Sequence, residues 1–352
     1  MAKKRATLPN DFSNILENND FEAFQKVFEK CDINAYERDF IKKPALCFYG
    51  IPTEWMRWLI ENGADIEAAD TYGRTALWHH SSVNAVEKVQ LLLDLGANIN
   101  TADRYQNSVL HASRGKFEVV ALLLERGADI SAKNDRKLTP LQAMLSGCTN
   151  LDIPQVAKSA ALLLKSGEKI TKTAKEAVVR IGENFEFHRK NFNSELLEET
   201  DKALQRLYAL FKVEPVTQRL EHDGVSPITV ADAPFEKQFS RLWDLLVPSQ
   251  GAAKTVQGEV VRISGKIRNE ILRNASGNWD KEFKKMLSAM VDYLQKGNAL
   301  SSAQMEEVNN LKTVLYDGDD NGDNSLALAQ LAVAWVKQNE TPIALGKVDY
   351  KR

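Results

Sequence analysis

Disulfide scaffolding is the first thing this sequence lacks. Its three cysteines, Cys31, Cys47 and Cys148, are odd in number and scattered over 352 residues. That excludes a cystine framework and points to a reducing compartment. A charge excess of one sign is missing too: 46 basic and 48 acidic residues leave a formal net charge of -2. Little cationic surplus is left to neutralise phosphates, so no nucleic-acid partner is expected. The basic cluster Lys3-Lys4-Arg5 is short and reads as a solvated terminus. No apolar run approaches the roughly 18 residues of a membrane span, and no signal-like apolar segment follows the N-terminus. A cytoplasmic protein without a membrane partner is expected. With five histidines in the whole chain, neither a metal site nor a cofactor is expected.

What is present is repetition. Residues 58–66 read WLIENGADI, 91–99 LLLDLGANI, 122–130 LLLERGADI and 162–170 LLLKSGEKI. The shared glycines, Gly63, Gly96, Gly127 and Gly167, lie 33, 31 and 40 residues apart. A second motif recurs between them: Thr75-Ala76-Leu77, Ser108-Val109-Leu110-His111, Thr139-Pro140-Leu141-Gln142 and, more weakly, Pro44-Ala45-Leu46-Cys47. The leucines mark the apolar stripe of a helix that one repeat alone has no means of burying. The glycine supplies the positive φ that ends that helix, and the Thr or Ser caps the next one.

A period near 33 with these two motifs resembles the ankyrin repeat. The resemblance, of a bacterial type, covers roughly residues 15–170, with about four to five repeats. The first is degenerate: its helix is residues 21–30 and its exit is Asp32-Ile33-Asn34-Ala35. It implies a solenoid whose hairpin tips and inner helices form a partner-binding face. The tips fall at Tyr36 and Arg38, Tyr72 and Arg74, Arg104 and Tyr105, and Arg136 and Lys137, with Trp78 and His79 beginning an inner helix. Tyr, Trp and Arg dominate interface hot spots, so Tyr72, Arg74, Trp78, Arg104, Tyr105, Arg136 and Lys137 are the expected contacts with a protein partner. The resemblance gives His111 a structural role, tying neighbouring repeats together.

Past residue 170 the signature stops and helical periodicity continues. Residues 171–180 read as a helix closing the last repeat, and 193–211, 235–247, 252–274, 279–295, 301–316 and 324–338 as further helices. Pro215, Gly224, Pro227 and Pro234 make 213–234 an irregular connection. The expected fold is all-α, with an ankyrin-repeat solenoid over residues 1–170 followed by a helical bundle domain over 171–352.

Three polar patterns stand out in that second half. Leu242-Trp243, Leu246-Val247-Pro248, Gln257-Gly258-Glu259, Arg262 and Asn278-Trp279-Asp280 resemble a motif of uncharacterised bacterial proteins that brings no activity with it. Glu259 and Arg262 share a helix face. Gln257, Glu259, Arg262, Asn278 and Asp280 are read as a buried packing network, with a small-molecule or catalytic site as the alternative. Residues 317–325 follow part of a calcium-loop pattern, but Leu328 replaces the bidentate Glu, so an acidic helix-capping turn is expected. His222-Asp223-Gly224 lacks the second His and Asp of metal phosphohydrolase chemistry and reads as a turn.

The function these features favour is non-enzymatic protein recognition by the repeats, with an accessory helical domain. A toxin-immunity or defence factor, and an effector enzyme with its site in the helical half, are the alternatives, the former by fold analogy alone.

Overall fold

The computed structural model describes residues 4–318 and 320–351. Two compact units make up the chain. One runs to Phe185 and adds Asn193–Val216, and the other comprises Glu186–Phe192 and the described residues from Thr217 on.

The first unit begins with strand β1 (Arg5–Thr7), helices α1 (Phe12–Glu17) and α2 (Phe21–Lys30), and strand β2 (Cys31–Tyr36), which pairs parallel to β1. Residues 32–35, expected as a repeat exit loop, are thus strand. Cys31 and Ala35 are fully buried while Asp32 and Asn34 are exposed, the alternation of a half-buried strand. A short 3-10 turn (Ala45–Cys47) and α3 (Thr53–Glu61) follow. Then come the inner and outer helices of successive hairpins: α4 (Ala76–Ser82) with α5 (Val86–Asp94), α6 (Val109–Ala112) with α7 (Phe117–Glu125), and α8 (Pro140–Ser146) with α9 (Ile153–Lys165).

Each hairpin forms where its motif calls for it. Thr75 caps α4, and Ser108 with His111 and Thr139 with Gln142 close capping boxes on α6 and α8. Outer helices end at Gly63, Gly96, Gly127 and Gly167 with φ between 81° and 103°, a backbone that L side chains resist. One leucine per outer helix, Leu59, Leu92, Leu123 and Leu163, is almost completely buried, each worth about 1.5–3 kcal/mol by transfer.

Two helices follow the last repeat, α10 (Lys172–His188) and α11 (Ser194–Phe211). The expected boundary at residues 170/171 falls inside the first unit, because α11 packs along α9 and buries Leu204, Leu207 and Phe211. A terminal repeat needs such a cover for its outer face.

The second unit is built around α13 (Val256–Asn274), which packs against α12 (Phe235–Leu246), α14 (Lys281–Tyr293) and α16 (Asp323–Gln338), while α15 (Ser302–Leu315) lies between α14 and α16. Val260, Val261, Ile263, Ile267, Met286, Met290, Leu328 and Trp335 form its core. Residues 213–234 are irregular, as expected. Arg219 in that stretch donates to the main-chain oxygens of Asp244 (2.6 Å) and Val247 and lies 4.2 Å from the Phe187 ring centroid, so it satisfies carbonyls at the end of α12. After α16 the chain runs extended beside α13. Val256 N donates to Ile343 O (2.8 Å), and Leu345 N donates to Lys254 O (3.2 Å).

Gly265 shows why the Leu-Trp pair of the second-half motif matters. A Cβ at Gly265 would lie 2.2 Å from Cζ3 of Trp243, whose ring stacks with Phe187 and Phe239. Gly265→Val is expected to lower the unfolding free energy of this unit by about 2 kcal/mol through overpacking. Urea denaturation checks it, and a loss under about 0.5 kcal/mol, the level of an ordinary surface substitution, would contradict this packing.

Candidate partner-binding surface

The tips at Asp70, Asp103 and Asn134 share one construction. A buried Asp or Asn accepts two main-chain N–H groups through the same oxygen. Asp70 Oδ1 accepts from Tyr72 (2.8 Å) and Arg74 (3.0 Å), Asp103 Oδ1 from Tyr105 (2.9 Å) and Asn107 (2.8 Å), and Asn134 Oδ1 from Arg136 (3.0 Å) and Leu138 (3.1 Å). Each tip is also bonded to the one before it, Thr71 N to Ile41 O (2.8 Å), Arg104 N to Tyr72 O (2.7 Å) and Asp135 N to Tyr105 O (3.0 Å). The aromatic and basic side chains therefore stand on a fixed backbone.

Tyr72 and Tyr105 stack at 6.5 Å, and the Arg74 guanidinium sits 4.9 Å from the Tyr72 ring and 4.4 Å from the Trp78 ring. Arg74 Nε pairs with Asp103 Oδ2 at 3.6 Å, too long for a hydrogen bond. Beside this cluster an open groove of about 710 Å³ runs across the inner helices, lined among others by Trp78, Tyr105, Arg114, Lys116, Arg136 and Met144. Of the residues expected from sequence, Arg74, Trp78, Tyr105 and Arg136 meet in the groove. Tyr72 supports it through Arg74. Arg104 and Lys137 are exposed on the tips and do not line it.

Trp78 has a second role. Its Nε1 donates to Asn107 O (3.3 Å) in the next repeat, as His111 Nε2 bonds Leu138 O (3.0 Å) one repeat further. It stands in the slot that His111 and Gln142 occupy in their repeats. His111 is structural, as expected: Nδ1 closes the capping box with Ser108, and burial pulls its pKa below the usual histidine value. The adjacent His79 bonds Asp70 Oδ2 (3.0 Å) and lies 3.4 Å from the Tyr49 hydroxyl, and burial still lowers its pKa. Arg114 and Lys116 were not singled out in the sequence. They follow the four-residue α6, and the Arg114 guanidinium lies over Gly147, where a Cβ would come within 2.7 Å of Nη1.

The second-half polar set divides in two. Glu259 and Arg262 pair at 2.6 Å with at most 1% of either side chain exposed. The Glu259 carboxylate also accepts from Ala253 N (2.8 Å) and the Tyr350 hydroxyl (2.7 Å). Gln257 donates to Asn339 O and Thr341 O (2.8 Å each) and accepts from Ile343 N (3.0 Å), clasping the extended tail. Asn278 bonds Glu270 instead, and Asp280 caps α14 through Glu282 N and Phe283 N. The five residues do not converge on one site, and the first three are saturated in the interior.

The calcium-like turn is spent on capping. Asp320 accepts from Asn324 and Ser325 at the start of α16, while Asp319 lies outside the described residues. Asp223 closes its turn through Val225 N and Ser226, which holds its carboxyl well below the usual range. Among the described residues no group of three or more His, Cys, Asp or Glu is placed to hold a metal ion, and no helix is long and apolar enough to cross a membrane.

These hairpins define residues 45–134 as ankyrin repeats, and the family model for ankyrin repeats matches that span in three copies. The relatives match the same kind of region. Mouse B-cell lymphoma 3 protein homolog (Mus musculus) is 42% identical over 91 residues, 25% of this chain and 20% of that protein. Ankyrin repeat, SAM and basic leucine zipper domain-containing protein 1 of Carollia perspicillata is 38% identical over 90 residues, 24% of this chain and 19% of that protein. Human Inversin (Homo sapiens) is 32% identical over 87 residues, 24% and 8% of the two chains. The chain thus spans a fifth or less of these relatives.

Proposed function

We propose that this chain recognises a protein partner through the groove and tips of its ankyrin repeats, in the cytoplasm, and that the helical unit is an accessory rather than a catalytic domain. The observation that carries this is the groove of about 710 Å³. It combines aromatic faces with the guanidinium groups of Arg114 and Arg136, neither of which makes an ion pair or side-chain hydrogen bond among the described residues. Such groups are enriched at hot spots because they bury large areas at modest entropy cost. Saturation of Gln257, Glu259 and Arg262 inside the second unit supports a structural role for that set. Three free cysteines suit a reducing compartment.

Affinity capture from native lysate, with wild type against Tyr105→Ala/Arg136→Ala, tests the reading. Both side chains are exposed, so the fold should survive, and circular dichroism verifies that. Hot-spot truncations cost about 2 kcal/mol each, so recovery of the cognate partner is expected to fall at least tenfold, with the same loss when the partner is purified and titrated. Undiminished recovery of every captured protein would remove this surface.

A further inference from the structure

The groove is asymmetric in charge, and the asymmetry names a class of partner. Four of its lining residues are basic, Arg74, Arg114, Lys116 and Arg136, and three are acidic, Asp103, Asp135 and Asp152. Two of the acids are committed, while the Asp135 carboxylate makes no hydrogen bond or ion pair among the described residues. Asp103 accepts from Tyr105 N, Asn107 N and Asn107 Nδ2 and pairs with Arg74. Asp152 Oδ2 accepts from Thr149 N (3.0 Å) and Thr149 Oγ1 (2.6 Å). The bases are not: Arg114, Lys116 and Arg136 make no side-chain hydrogen bond or ion pair among the described residues, and the same holds for Arg104 and Lys137 on the adjoining tips. Histidine does not add to this charge, since burial favours the neutral form of His111. The apolar part of the lining includes Trp78, Tyr105, Leu138 and Met144.

We infer that the groove takes an acidic, extended peptide segment of a partner protein, its carboxylates over Arg114, Lys116 and Arg136 and an apolar or aromatic side chain against Trp78 and Met144. This rests on the partner-recognition reading and narrows it. Forked guanidinium groups match carboxylates bidentately, and a partly enclosed groove raises the weight of each pair over a fully solvated one. A phosphate chain is the poorer occupant, because counterion release needs many cationic contacts and the groove offers three unpaired basic side chains.

The test uses the full chain and two fluorescein-labelled nonapeptides, three repeats of Glu-Phe-Asp and three of Gln-Phe-Asn, equal in length and apolar content. Fluorescence anisotropy at about 50 mM salt is expected to show the acidic peptide binding roughly tenfold tighter, with the preference shrinking as salt screens it. Arg114→Gln/Arg136→Gln is expected to erase that preference while circular dichroism stays unchanged. Equal affinity for both peptides, no binding of either, or tighter binding of a labelled twelve-residue oligothymidylate would each overturn the inference. So would self-association by light scattering that the same double variant abolishes, since a second copy of the chain would then be the occupant. If the acidic preference fails while partner capture still depends on Tyr105, the recognition surface stands and only its charge assignment falls.

Discussion

Arg262→Met is expected to destabilise the helical unit by about 3–5 kcal/mol. Removing one member of a buried ion pair leaves the other charge unpaired in a low-dielectric interior, and that penalty exceeds the net worth of the intact pair. Here Glu259 is fully buried and would keep only Ala253 N and the Tyr350 hydroxyl as donors. Met fills much of the vacated volume, so the loss reports charge more than cavity. Replacing both members, Glu259→Leu with Arg262→Met, should recover a large part of the loss, though not all, because Ala253 N and Tyr350 Oη then lack their acceptor. Guanidinium unfolding monitored by tryptophan fluorescence reads both effects. A single-variant loss near that of a surface pair, about 0–1 kcal/mol, would mean that Arg262 is solvated after all.

The repeat unit should soften in mild acid, and His80 is the main cause. Its ring is fully buried with Nε2 on Leu46 O (2.9 Å), and burial holds its pKa at about 4. In the unfolded chain a histidine titrates near 6.5. Above pH 6.5 both states carry the neutral ring and stability is full. Between 6.5 and 4 the unfolded state gains a proton that the folded state refuses, so stability falls as pH falls. Linkage gives a loss of about 2 kcal/mol between pH 7 and pH 5 from this residue. His79 and His111, also lowered by burial, act in the same direction. Urea midpoints at the two pH values should show the decline, and His80→Gln should flatten it even if it costs some stability at pH 7. A slope unchanged by that substitution would assign the acid sensitivity elsewhere.

Much of the repeat unit was legible in sequence because its signals are local and periodic. A leucine stripe closed by glycine, and a hydroxyl before a short helix, determine structure within a dozen residues, and the spacing of Gly63, Gly96 and Gly127 repeats that determination. Tip residues were legible for the same reason. Arg114 and Lys116 were not, since they become groove residues only when adjacent hairpins curve around them, and nothing in the text around a four-residue helix marks that. Trp78 was read as a contact alone because its bond to Asn107 depends on the neighbouring repeat. In the second half, the helix faces of Glu259 and Arg262 were visible. The more distant partners, Asn339 and Ile343 for Gln257 and Tyr350 for Glu259, lie some 80–90 residues later in an extended tail without periodicity. The short parallel strand pair went unseen because two runs of three and six residues carry little pattern.

The main-chain bonds that tie each tip to the one before it have a kinetic consequence. A partner meets a row of loops whose spacing is already set, so little backbone freedom remains to be lost at the moment of docking. Encounter then needs no loop search, and substitutions of the aromatic residues along the row should leave the association rate close to its original value while shortening the lifetime of the complex, whereas removing its basic residues should slow association as well.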